Sequence, residues 1–322
     1  MRATTERRLC SPPRRTGLVT RYMRASFVAA SGLALALLVA TTPARADTKW
    51  PSALSYTVGV STDDSARVQT SAFVYGPLDG GFGAKVGGWW VTGGSDNRAF
   101  LGDTYLDYQK GPVYLAGGRK FVPFGPAGIL VSPGIYGGEA RLECDRVTVQ
   151  AISGSLAFTS VTGGTRFTFA GNSSPADEHV AAARVAVQLT QPNSETPVTI
   201  GGNALHLLDK SGRSGDVSIG ANECVSFFGE AAQFAGVHAS AYGVRWSNQK
   251  TQRDPSRFTL AVLYHRRVPV GFEPAAVGAT QYFEDQTGWA GGIYHQFQPR
   301  RAVGLYADKD NAILTLFGYV PL

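Results

Sequence analysis

Beyond residue 47, apolar and polar positions alternate with a period of two in one segment after another. Tyr56, Val58 and Val60 oppose Thr57, Gly59 and Ser61, and Val68, Ala72 and Val74 oppose Arg67, Gln69 and Ser71. Thr104, Leu106 and Tyr108 oppose Asp103, Tyr105 and Asp107, while Val185, Val187 and Leu189 oppose Arg184, Ala186 and Gln188. Such alternation predicts strands with two unlike faces. Turn residues fall between the runs, at Asp63-Asp64, Pro77 to Gly81, Gly93 to Asn97, Lys110-Gly111-Pro112, Gly171 to Pro175 and Pro192-Asn193-Ser194. Polar stretches at Asp209 to Asp216, Ser247 to Ser256 and Gly271 to Gly288 read as longer loops. The runs predict about 14 antiparallel strands, with 12 to 16 compatible with the pattern.

One segment breaks the rhythm. Phe27 to Ala40 is a continuous apolar run behind Arg21 and Arg24, closing on Pro43-Ala44-Arg45-Ala46. Its length falls short of the roughly 20 apolar residues a spanning helix needs, and its shape is that of a cleaved export signal, with the mature chain beginning at Asp47. Arg14-Arg15 offers a twin-arginine pair, but Met23 could itself be the start and would leave a complete signal without it. Residues 1–46 are therefore read as a targeting region and 47–322 as a single domain, a size at which one all-β unit is ordinary.

Removing that region changes the charge. It holds eight Arg and one Glu; 30 basic residues less 8 leaves 22, and 24 acidic residues less 1 leaves 23. The basic isoelectric point belongs to the targeting segment, so the folded domain offers no support for nucleic-acid binding. With 39 Gly, 17 Pro and 13 Tyr but two Met, composition favours strands and turns over helices. Cys144 and Cys224 would both meet an oxidising compartment after export, and whether they pair cannot be read from spacing.

Alternating strands can close over a dry core, as in a soluble sandwich, or show their apolar face to lipid around a polar lumen. Charges at even spacing, Asp103 with Asp107 and Arg141 with Glu143 and Asp145, fall on one strand face and suit a lumen. Aromatics near strand ends, among them Trp89, Trp90, Tyr105, Phe124, Tyr242, Trp246, Tyr264, Trp289, Tyr294, Phe297, Phe317 and Tyr319, suit interfacial girdles. The fold expected is an all-β, antiparallel transmembrane β-barrel.

The stretch Gly118-Arg119-Lys120-Phe121-Val122-Pro123-Phe124-Gly125 resembles a strand-and-turn segment of bacterial outer-membrane porins, loosely the phosphate-selective group. Gly117 and Pro126 extend it loosely, to some ten residues. The resemblance implies a passive or weakly selective pore in the outer membrane of a diderm bacterium, with outer-membrane lipid, small polar or ionic solutes and the barrel-assembly machinery as partners, and a homo-oligomer left open. The chain departs from that group in being short and in ending Phe317-Gly318-Tyr319-Val320-Pro321-Leu322, where such barrels finish on an aromatic residue.

Adjacent strand residues point to opposite sides, so Arg119-Lys120 and Arg266-Arg267 each place at most one residue in a lumen. The expected pore-lining set is Arg119, Arg141 and Arg245, with Asp103, Asp107 and Glu143 as opposing charges. Phe124 to Gly138, rich in Gly and Pro around Ile129, Leu130 and Val131, either folds inward as a constriction or forms an exterior hairpin. Two other function classes stay open. One is a secreted or periplasmic all-β structural or binding protein. The other is a barrel lipid hydrolase, for which His238-Ala239-Ser240 sets a base and a nucleophile on one strand face and resembles the His-x-Ser pair of lipid A deacylases. The remaining histidines lack partners at metal-ligand spacing, and no glycine-rich loop opens a helix, so neither a metal nor another cofactor is expected.

Overall fold

A computed structural model describes residues 53–61, 68–92, 98–158, 178–249, 257–277, 279–280, 282, 285–298, 301–308 and 312–320. The targeting region of residues 1–46 lies outside the described residues, as do the turns expected at 63–64, 93–97 and 171–175.

Seventeen strands form one antiparallel sheet among the described residues. The first eight run β1 (Ala53–Ser61), β2 (Val68–Pro77), β3 (Phe82–Thr92), β4 (Arg98–Leu101), β5 (Thr104–Lys110), β6 (Val113–Phe121), β7 (Gly134–Cys144) and β8 (Val147–Phe158). There follow β9 (His179–Gln188), β10 (Val198–Leu207), β11 (Lys210–Gly220), β12 (Val225–Phe234), β13 (Val237–Ser247), β14 (Phe258–Val268), β15 (Gln286–Gln298), β16 (Arg301–Asp308) and β17 (Ala312–Val320). Each strand pairs with its neighbours in sequence, and β4 and β5 both pair with β3, as two pieces of one stave. β1 then pairs with β17, Tyr56 opposite Gly318 and Val58 opposite Leu316, which closes the sheet into a barrel of sixteen staves. That number is the upper bound of the expected range.

The count lies within the expected 12 to 16, but one expected loop is a hairpin instead. Asp209 to Asp216 reads as a polar loop, yet most of it belongs to β11, paired from Val198–Ile219 to Leu207–Lys210 with β10. Leu208 and Asp209 form the whole turn, both at positive φ (52° and 60°), the backbone a two-residue type I′ hairpin requires. Leu-Asp carries none of the Asn-Gly signature of such turns, and the polar residues that follow belong to a lumen face.

The two faces of the wall separate as the alternation anticipates. Val185 is 49% exposed while Arg184 is buried, and Leu106 is 61% exposed beside the inward Tyr105. Exposed apolar side chains stand on the outer face from β8 to β16, among them Val149, Ile200, Val217, Phe227, Leu263, Ile293 and Leu305. The aromatics divide. Tyr242, Trp246, Trp289 and Phe297 are exposed on the outer wall, whereas Phe124 and Tyr264 are buried in the interior and are not girdle residues. The side chains of Trp89, Trp90, Phe317 and Tyr319 lie outside the described residues.

The end of the barrel at which β1 starts and β17 stops is here the near end. At the far end, two connections turn into the barrel: residues 122–133, between β6 and β7, and the described part of residues 269–285, between β14 and β15, which holds the short helix α1 (Glu273–Ala276). Val122, Ile129, Leu130 and Phe272 are fully buried there against Val180, Leu205, Leu207 and Phe234 of the inner wall. Cys144 ends β7 and Cys224 lies just before β12, and no disulfide joins them.

Gly137 and Gly154 face each other across β7 and β8, so close that a Cβ on either would collide with the other's Cα and the adjoining carbonyl. Gly154→Val should therefore lower the temperature at which the folded band disappears in heat-modifiable gel migration. Gly117→Val, at a position open to 4 Å, should leave that temperature unchanged.

Candidate functional site

The interior is organised by register. Gln150, Arg184, Asn203, Ser214, Asp216 and Glu230 come from five consecutive strands, β8 to β12, and share the lumen face because their Cα partners align or differ by two residues. Arg184 holds Asp216 through both terminal nitrogens, Nη2 donating to Oδ1 at 2.9 Å, and Nη1 also donates to Asn203 Oδ1 at 2.9 Å. Asn203 Nδ2 donates to Ser214 Oγ at 2.7 Å, and Ser214 donates to Glu230 Oε1 at 2.8 Å. Every member is nearly inaccessible to solvent, and a charge at such a site persists only when paired and hydrogen-bonded.

This chain of bonds ends on the inward connection. Glu230 accepts the backbone N–H of Ile129 at 3.2 Å and of Leu130 at 3.4 Å, which are left without strand partners where the chain leaves β6. Gly125, at φ 68°, lets the backbone pass the cluster: a Cβ there would lie 3.1 Å from Arg184 Nη1 and from Glu230 Oε2. The second connection fastens the first. Ser132 N donates to Ala279 O at 2.8 Å, Thr280 Oγ1 to Gly128 O at 2.7 Å and Tyr282 OH to Ala127 O at 2.8 Å. Of the segment anticipated from Phe124 to Gly138, residues up to 133 form the inward connection, and Gly134 to Gly138 begin β7.

The wall of β3 to β7 carries a different array. Lys85 pairs with Asp103 at 3.0 Å, and Lys120 forms an ion pair with Glu139 and donates to Tyr114 OH at 2.6 Å. Rings and cations alternate here: Lys85 and Lys120 lie 5.8 and 5.1 Å from the Tyr105 centroid, and Lys120 and Arg141 lie 4.4 and 4.8 Å from that of Tyr114. On β14 and β16, Arg266 forms an ion pair with Asp308 and donates to Tyr306 OH at 3.1 Å.

The residues expected to line a pore are distributed over these walls. Asp103 accepts from Lys85 and from Phe121 N, Asp107 lies on the inward face of β5 two residues from Tyr105, and Arg141 pairs with Glu143 at 3.0 Å along β7. Arg245 is exposed to the lumen from β13, with its guanidinium 5.6 Å from the Phe228 ring. Arg119 differs. It is 1% exposed, donates from Nη1 to Tyr136 OH at 3.1 Å and lies on the strand face opposite Lys120, so the lumen-facing member of that pair is Lys120. In the second pair Arg266 faces inward and Arg267 outward.

Sequence reasoning missed Lys120, Glu139, Arg184, Asp216, Glu230 and Arg266 as site residues. Arg184 was visible as the charged member of a polar set, but Asp216 was assigned to a loop. His238 and Ser240 share the outer face of β13, and no strand acid lies on that face among the described residues to orient a His–Ser pair.

No family model matches the chain, and no curated protein matches it. Among solved structures it is similar to OprB of Pseudomonas putida, at 11% identity over 83% of this chain and 91% of that chain, with a TM-score of 0.49. It is similar also to a mutant of the Rh. blastica porin, at 8% identity over 84% and 99%, TM-score 0.48. A third is Pseudomonas aeruginosa OccK2 (OpdF) in complex with glucuronate, at 11% identity over 84% and 98%, TM-score 0.46.

Replacing Glu230 by Ala strips the acceptor from two buried amides, each worth about 1–3 kcal/mol when left unsatisfied. Hydrogen exchange at Ile129 and Leu130 should accelerate by more than tenfold in Glu230→Ala, while β7 and β8 keep their protection. Arg184→Gln, which leaves Asp216 buried and uncompensated, should cost about 3–5 kcal/mol of barrel stability in denaturant titration.

Proposed function

We propose that the chain is an outer-membrane channel for passive diffusion of small polar or ionic solutes, exported by the signal at residues 1–46 and folded as one barrel from residues 47–322. The observation that carries this reading is the inversion of the wall, with charge and hydrogen bonding inside and exposed aliphatic side chains outside. A soluble sandwich hides the aliphatic face. A closed sheet with no unpaired edge is also one of the two structures that can cross hydrocarbon, because lipid satisfies no backbone polar group.

The belt has suitable dimensions. On β15, Trp289 and Phe297 are both exposed outward with Gly291, Ile293 and His295 between them. Eight residues at about 3.3 Å give about 26 Å of strand, or about 20 Å along an axis tilted by about 40°, near the roughly 25 Å apolar band of outer-membrane barrels.

Inside, the two inward connections occupy the far end on the side of β8 to β14, which leaves passage along the wall of β3 to β7. Lys85, Tyr105, Asp107, Tyr114 and Arg141 are partly exposed on that wall, and Glu143 more so. Charges of both signs alternate along it, so local fields rather than a single-sign ring act on a passing ion, and selectivity should be weak. Such a wall gives no surplus of cations that would favour anions.

Two measurements test the reading. Cell fractionation should place the protein with the membranes, and recovery as a monodisperse species in detergent-free buffer would refute the channel. In planar bilayers, removal of residues 127–131 should raise single-channel conductance at least twofold, and an unchanged current would eliminate the inward connection as the constriction. In a salt gradient the reversal potential should sit near zero and move toward cation preference in Lys85→Ala.

A further inference from the structure

The outer wall carries charge as well as aliphatic side chains, and the charge has one sign. Asp107, Glu139, Glu143, Asp216, Glu230 and Asp308 are the acidic residues within described strands, and each faces the lumen. At the far end, by contrast, Arg213 of β11 and Arg267 of β14 point outward and are exposed. Neither enters an ion pair among the described residues. His238 of β13 is exposed on the same face: Arg213 is the register partner of Gln233, Gln233 of His238, and Ser240, the next outward residue of β13, of Arg267. Arg213, His238 and Arg267 thus form one patch across β11 to β14, three strand spacings or about 14 Å wide.

The depth of the patch follows from what lies beneath it. One step toward the near end, His265 stacks on Tyr242 with centroids 5.4 Å apart and meets Trp289 edge-on at 5.4 Å. Tyr242 and Trp289 are 52% and 55% exposed, and aromatics of this kind settle at headgroup level. A recess of about 300 Å³ opens on the outer wall between Arg213 and His238, floored by Gly215 and Ala231. No acid of a described strand shares this face; the acids at the same end include Asp209 and Asp285 in the flanking connections, and neither forms an ion pair with Arg213 or Arg267 among the described residues. The guanidinium fork matches two phosphate oxygens.

We propose that the outer rim of β11 to β14 binds the phosphate-bearing headgroup of an anionic membrane lipid, with Arg213 and Arg267 contacting phosphate oxygens and His238 as a third donor. This rests on the membrane reading above. The lipid binds outside the barrel and leaves the solute path untouched.

Trp289, beside the patch, reports on it. The protein is refolded into phosphatidylcholine bilayers containing brominated-acyl phosphatidic acid or brominated-acyl phosphatidylcholine, and the Trp289 signal is taken as the difference from Trp289→Phe. Phosphatidic acid should quench at a mole fraction at least threefold lower than phosphatidylcholine does. The preference should vanish in Arg213→Gln/Arg267→Gln and largely return in Arg213→Lys/Arg267→Lys, with all variants folded by heat-modifiable migration. Equal quenching by the two lipids, or a preference intact in the Gln double variant, would overturn the headgroup site alone. Absence of quenching by either lipid would overturn the membrane reading together with it.

Discussion

Backbone hydrogen bonding is the constraint on which everything else in this molecule depends. A sheet with free edges leaves rows of N–H and C=O groups unpaired, and pairing β1 with β17 removes both edges at once. Closure then fixes an inside and an outside, and because side chains alternate along every strand, the sequence must alternate too. The same demand reappears where the chain leaves the sheet. Residues 122–133 enter the interior without strand partners, and Glu230, Pro133 and the second inward connection supply what the ladder no longer does.

The interior is accordingly structured by pairs. Arg184 with Asp216, Lys120 with Glu139 and Arg266 with Asp308 are each sequestered and each bridge different strands. Buried ion pairs contribute little net stability, but losing one partner is costly, so they act as register pins more than as glue. The cations that remain partly accessible, Lys85 and Arg141, lie against tyrosine rings on the wall of β3 to β7. Arg184–Asp216 and Arg266–Asp308 lie away from that wall, whereas Lys120–Glu139 shares it with the accessible cations.

The architecture was legible because period-two alternation is forced by closure, and Val185, Leu189 and Leu106 are outward as their spacing implies. The hairpin at Leu208-Asp209 was illegible because its turn uses no glycine and its second strand is polar on the face that matters. Site residues were harder still. Arg119 and Lys120 are equivalent by composition, and only the pairing of β6 with β7 distinguishes them, by setting Lys120 beside Glu139 and Arg119 opposite Tyr136. Glu230 gains its role from Ile129, 101 residues earlier in the chain, a distance no local pattern encodes.

The clasp between the two inward connections has a consequence for assembly. Thr280 reaches back 152 residues to Gly128, and Tyr282 reaches 155 to Ala127. The clasp therefore exists only when the β6–β7 and β14–β15 connections are both in place, whichever arrives first. Narrowing of the far end depends on two parts of the chain that sit far apart in sequence, so neither half alone could produce it.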